Sequence, residues 1–129
     1  MIILGIDIGG NQTRAGMVDA DGALTASRTF QTPSDLEGFL ASLHDAVRWL
    51  VETTSLPAGV GVGCKGVVNP DSTMVQKLTG TLHYLQEQCL SELVGLPQDV
   101  PVFADNDARA ALAGEMMWGS AHDLRDALM

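Results

Sequence analysis

The stretch "GIDIGGNQTRAGMVDADG", residues 5–22, decides the fold. It joins an apolar strand to an acid, Asp7, then to two adjacent glycines, Gly9 and Gly10, then to a second strand and a second turn. Upstream, the apolar run extends to residue 1 as "MIILGIDI", the pattern of a central strand covered on both faces. Downstream, "QTRAGMVDA" reads as a more mixed second strand. The pair Asp21-Gly22 then favours a hairpin because glycine takes positive φ freely, so "ALTASRTFQ" is expected to return as a third, antiparallel strand. Because Gly9 and Gly10 lead into a strand and no G-K-S/T follows, dinucleotide-binding and Walker-type phosphate sites are excluded.

Beyond that meander, Pro33 ends the strand, and Ser34 with Glu37 forms a capping box for a helix. Leu36, Phe39, Leu40, Leu43, Val47, Leu50 and Val51 recur at helical spacing, and the helix is expected to end near Thr53. "AGVGVGC" reads as a buried fourth strand whose small residues admit close neighbours. A loop with Asn69-Pro70 follows, then a helix over "LHYLQEQCLSELVGLP" that stops at Gly95 and Pro97. "VPVFA" is the fifth strand, and a last helix begins around Asn106 in "NDARAALAGEMMWG" and closes at Gly119.

This order is α/β: a mixed five-stranded sheet, three antiparallel strands then two parallel ones, with flanking helices. Right-handed crossovers set the first, fourth and fifth strands side by side. Their carboxyl ends then share one sheet edge, where open α/β sheets bind ligands. "DIGGNQT", "GCKG" and "DNDA" stand at those ends.

Composition narrows the partners. A chain of 129 residues is sized for one core, and 7 Lys+Arg against 16 Asp+Glu give a net charge of −9, which repels nucleic acid and anionic membranes. Neither a cationic apolar leader nor a membrane-length apolar run is present, so Cys64 and Cys89 read as reduced thiols of a cytoplasmic protein. The scattered histidines and cysteines have no zinc spacing, and His44 and His83 fall in helical patterns.

Each candidate segment has a plain structural reading beside a functional one. Asp7 either caps a glycine-rich hairpin or holds a cation or water while Gly9 and Gly10 let amides approach a phosphate. In "DNDA", Asp105, Asn106 or Asp107 can each cap a helix, yet one cap suffices, which leaves a carboxylate to accept a proton from an alcohol. Lys65 is an anion contact or a solvated lysine, Cys64 a small buried hydrophobe, and Arg14 reaches a phosphate or pairs with an acid.

Together, "GIDIGGNQTRAGMVDADG", "VGVGCKGVVNP" and "VPVFADNDARAALAGE" resemble the ROK family (repressors, open reading frames, kinases) of the hexokinase and actin superfamily, over essentially the whole chain. The resemblance implies an actin-like, ribonuclease H-like domain and ATP-dependent phosphorylation of a hexose or N-acetylhexosamine, with ATP and Mg as cofactors. It implies that Asp107 is the base, that Gly66, Asn106 and Asp107 bind the sugar, and that Asp7 holds Mg through water. Gly9, Gly10, Asn11, Gln12 and Thr13 would then form the phosphate loop, with Thr13 supplying a hydroxyl.

The sequence departs from the family pattern at Asn11, where Thr is usual, at Gln12, where Lys is common, and at Lys65, where Pro is usual. The resemblance further implies that residues 1–119 are an N-terminal lobe, that 120–129 begin an interdomain connection to an absent second lobe, and that this chain alone does not turn over substrate. The complete protein is expected to be a homodimer. A sugar-sensing repressor domain and a noncatalytic actin-like assembly domain are the alternatives; the repressors carry a winged-helix segment ahead of the first strand, and Met1 here stands directly in the strand.

Overall fold

The computed structural model describes residues 1–107. Strands β1 (Ile3–Ile8), β2 (Gln12–Val18) and β3 (Leu24–Gln31) form the expected meander. Then come α1 (Leu36–Thr53), β4 (Gly59–Cys64), β5 (Val67–Val68), β6 (Val75–Lys77), a 3₁₀ helix (Gly80–Leu85), the single turn α2 (Leu90–Leu93) and β7 (Val102–Asn106). The main sheet has the order β3-β2-β1-β4-β7. β1 pairs antiparallel with β2 and parallel with β4, and β4 pairs parallel with β7, so the three strand ends lie side by side as expected.

One sheet face makes the core. Leu4, Ile6 and Ile8 of β1, Val60, Val62 and Cys64 of β4, and Ala15 and Met17 of β2 pack with Phe39, Leu43, Val47 and Leu50 of α1 in one buried cluster. That is the stripe the helical spacing predicts. β1 differs from expectation in being deeply buried on one face only: Ile3 is 37% exposed and Asp7 is exposed. The strand ends in a carboxylate, and its second face meets glycines across the register, Gly5 beside Gly16 and Gly61, and Asp7 beside Gly63.

At the β2–β3 turn the Asp19 side chain accepts from the amides of Asp21 and Ala23, and Gly22 takes φ 83°, the conformation the Asp-Gly pair predicts. Between β3 and α1, the Arg28 guanidinium lies 4.1 Å from the Trp49 ring centroid.

Three further expectations are corrected. The N-cap of α1 is Asp35, whose carboxylate accepts from the Gly38 amide at 2.7 Å, in place of a Ser34–Glu37 box. Pro33 and Asp35 close tightly over Gly38, where a Cβ would fall 2.9 Å from the Asp35 carboxylate, so the chain caps one residue later than the motif suggests.

The region after β4 contains the β5–β6 hairpin, which a sequence scan reads as loop because its strands are two and three residues long. The expected helix over residues 82–97 is two short pieces, separated where Glu87 takes φ 69°. There the chain pairs with β6 instead: Glu87 donates to the Val75 carbonyl and Val75 to the Gln88 carbonyl. Satisfying the backbone of a short strand outweighs continuing the helix. Gly95, at φ 80°, ends this region as expected. The expected last helix falls on residues 108–119, outside the described residues, apart from the helical Asp107 that follows β7.

Candidate active site

Opposite the core, the sheet floors a groove of about 1240 Å³. Its polar wall is built by register. Asp7 is the Cα partner of Arg14 on one side and of Gly63 on the other, and Gly63 is the partner of Asp105. Cross-strand partners share a face, so Arg14, Asp7 and Asp105 stand in one row with a glycine between the acids. Gln12 and Asp107 complete the wall. Arg14 makes no ion pair with any carboxylate among the described residues, where the one ion pair joins Arg48 and Asp45 on the surface of α1.

Cys64 feels both acids. Its thiol is fully buried at the end of β4, and its pKa is pushed up to about 12, first by burial and then by the negative charges of Asp107 and Asp7. Two acids from strand ends 100 residues apart therefore act on one sulfur, and both line one groove. Cys64 is the buried hydrophobe expected of it, held as a neutral thiol.

Between β1 and β2 lies the glycine turn. Gly9 donates its amide to the Gln12 carbonyl at 3.0 Å, and a Cβ on Gly9 would fall 2.6 Å from that same oxygen. Its glycine is therefore required by a close backbone approach, and its amide is engaged within the turn. The amides of Gly10 and Asn11 make no hydrogen bond among the described residues, and they are the donors that the exposed tip presents.

Gln12 is exposed along the groove. Thr13 is not where the phosphate-loop expectation puts it. Strand alternation turns it to the core face, fully buried, with its hydroxyl 2.8 Å from that of Thr32. Thr32 lacked a signal of its own in the sequence beyond preceding Pro33.

On the sugar side of the expected site, Gly66 follows β4 at φ 96°, and a Cβ there would fall 2.4 Å from the Lys77 carbonyl, so glycine is obligatory. The Gly66 carbonyl accepts from the Asn106 side-chain amide at 2.8 Å and thereby orients it. Asn106 also donates its backbone amide to the Asp105 carboxylate at 2.8 Å. The structure thus brings together Gly66 with Asn106, and Asp7 with Gln12, Arg14 and Asp107. Lys65 is exposed and lies outside the groove lining.

Asp7, exposed at the end of a buried strand, is a single carboxylate. Among the described residues no cluster of three His, Cys, Asp or Glu side chains forms a dedicated metal cage. That donor set suits magnesium, which is held by one or two carboxylates together with water and phosphate oxygens. No helix among the described residues is long and apolar enough to cross a membrane.

The chain is 31% identical over 127 residues to a glucokinase of Streptomyces coelicolor, covering 98% of this chain and 39% of that protein. It is 32% identical over 119 residues to an N-acetylmannosamine kinase of Escherichia coli, covering 89% of this chain and 39% of that protein. Among solved structures, a ROK family glucokinase of Streptomyces griseus, in complex with glucose and AMPPNP, superposes with a TM-score of 0.80 at 29% identity, over 94% of this chain and 38% of that one. The chain therefore spans about two fifths of the length of these relatives. The model of the ROK family matches residues 3–129, nearly the whole chain, and this chain belongs to the ROK family.

Proposed function

We propose that this chain is the N-terminal lobe of an ATP-dependent sugar kinase acting on a hexose or N-acetylhexosamine hydroxyl. Residues 1–119 make up the lobe, and residues 120–129, outside the described residues, begin its connection to a second lobe. The observation that carries this reading is the meeting of Asp7 and Asp107 in the lining of one groove. The kinase relatives support the substrate class.

In this reading Asp107 takes the proton of the sugar hydroxyl as its oxygen attacks the γ-phosphorus, and ADP departs with the electrons of the broken P–O bond. Asn106, oriented by Gly66, hydrogen-bonds the sugar and fixes its approach. The Gly10 and Asn11 amides donate to phosphate oxygens, and Gln12 and Arg14 extend the polar wall beside them. Magnesium, held by Asp7 through water, would supply positive charge against the polyphosphate. Because phosphoryl transfer rests on positioning and charge neutralisation, these few groups are chemically sufficient from this lobe.

Asp107→Asn in the complete protein keeps the shape of the side chain and removes the base. Turnover is expected to fall by a factor on the order of 100 to 10,000, with circular dichroism unchanged. Turnover within a few-fold of the parent defeats the assignment of Asp107.

A further inference from the structure

We propose that Thr32 is a positioning residue that sets the glycine turn of the phosphate site, an inference that rests on the kinase reading above. Three hydrogen bonds converge on it. Its hydroxyl donates to the Gly9 carbonyl at 2.8 Å, its backbone amide donates to the Asn11 carbonyl at 2.8 Å, and the Thr13 hydroxyl lies 2.8 Å from its own. A hydroxyl has one hydrogen, and that of Thr32 is committed to Gly9, so Thr13 is the donor in the Thr13–Thr32 bond. The relay runs from a fully buried side chain, through Thr32, to the turn.

The consequence follows from the planar trans peptide. In the Gly9–Gly10 unit the carbonyl and the next amide point in opposite directions. Drawing the Gly9 oxygen toward Thr32 turns the Gly10 N–H away from it, and that amide makes no hydrogen bond among the described residues. With the Gly9 and Asn11 carbonyls engaged by Thr32 and the Gln12 carbonyl by Gly9, three oxygens of the turn are tied back from a phosphate, while the Gly10 and Asn11 amides make no hydrogen bond among the described residues. Thr32 is itself anchored: the Tyr84 hydroxyl donates to the neighbouring Pro33 carbonyl at 2.8 Å, tying the 3₁₀ helix to the base of the turn.

The test compares Thr32→Val, which keeps the shape and removes the hydroxyl, with Thr32→Ser, which keeps the hydroxyl. In the complete protein, calorimetry with magnesium and AMPPNP is expected to show about tenfold weaker binding for Thr32→Val and near-parental binding for Thr32→Ser. The KM for the sugar should stay within about twofold of the parent, since Thr32 acts on the phosphate turn alone. Without nucleotide, the NMR amide signals of Gly10 and Asn11 should shift and exchange faster in Thr32→Val and return in Thr32→Ser.

Unchanged AMPPNP affinity and unchanged Gly10 and Asn11 signals in Thr32→Val overturn the proposal. Should Thr32→Val fail to fold, Thr13→Val at the buried end of the relay provides the same comparison with a loss of roughly threefold, and no loss there also overturns it. A parent protein that does not bind AMPPNP sinks the kinase reading instead, while the amide signals still decide the part played by Thr32.

Discussion

At the scale of single residues, Cys64 connects the site to stability. Its thiol stays protonated in the folded chain up to about pH 12, whereas an unfolded cysteine ionises near 9.0. Above pH 9 the unfolded state therefore loses a proton that the folded state retains. The stability this thiol confers is complete below pH 9 and drains away as pH climbs toward 12, by on the order of 1 kcal/mol per pH unit. Tyr84, raised first by burial and then by the charge of Asp35, adds to the same alkaline trend. Urea midpoints of the parent and Cys64→Ala between pH 8 and pH 10.5 separate the two: the variant should start lower and fall less steeply, and identical slopes refute the argument.

Residue reading singled out Asp7, Asn106 and Asp107 because polar residues at strand ends are visible in one dimension, and the resemblance added Gly66; the structure sets Asp7 and Asp107 along one groove and joins Asn106 to Gly66. It misplaced Thr13, whose type suits a phosphate loop but whose strand parity turns it inward. It had no means of finding Thr32, whose bonds reach residues about 20 positions away.

Among elements, α1 shows how pattern and local sterics divide the work. Its buried residues Phe39, Leu43, Val47 and Leu50 follow from periodicity alone. Its start does not, because Ser34 and Asp35 both qualify as caps, and the approach of Pro33 to Gly38 selects Asp35. Asp35→Ala should lower stability by about 1 kcal/mol, and Ser34→Ala by no more than a few tenths, judged by urea midpoints. The opposite ranking would restore the Ser34–Glu37 box. The segment after β6 is the counterexample: leucines at helical spacing, Leu82, Leu85, Leu90 and Leu93, are all buried, yet they sit on two short pieces. Periodicity located the apolar face and missed the break, since residues 86–89 are held by hydrogen bonds to β6 and its flanks that the spacing cannot encode.

For the molecule as a whole, the sheet order predicts where the fold is most resistant to opening. β1 and β4 are flanked by strands on both sides, while β3 is an edge strand with most of its residues exposed. Amides of Leu4, Ile6 and Val62 should exchange roughly a hundredfold more slowly than β3 amides that bond only to β2. Equal protection across the sheet would show that it opens as one unit. The meander, the two parallel crossovers and the meeting of three strand ends were legible from the sequence, because apolar runs, an Asp-Gly turn and crossover handedness are local or nearly universal constraints. What only the tertiary structure decided is orientation within that frame: which side of β2 Thr13 takes, which amide of the glycine turn is engaged, and which carbonyl holds Asn106. Those outcomes depend on hydrogen bonds and close approaches between segments distant in the chain. Their partners become neighbours only when the core has closed.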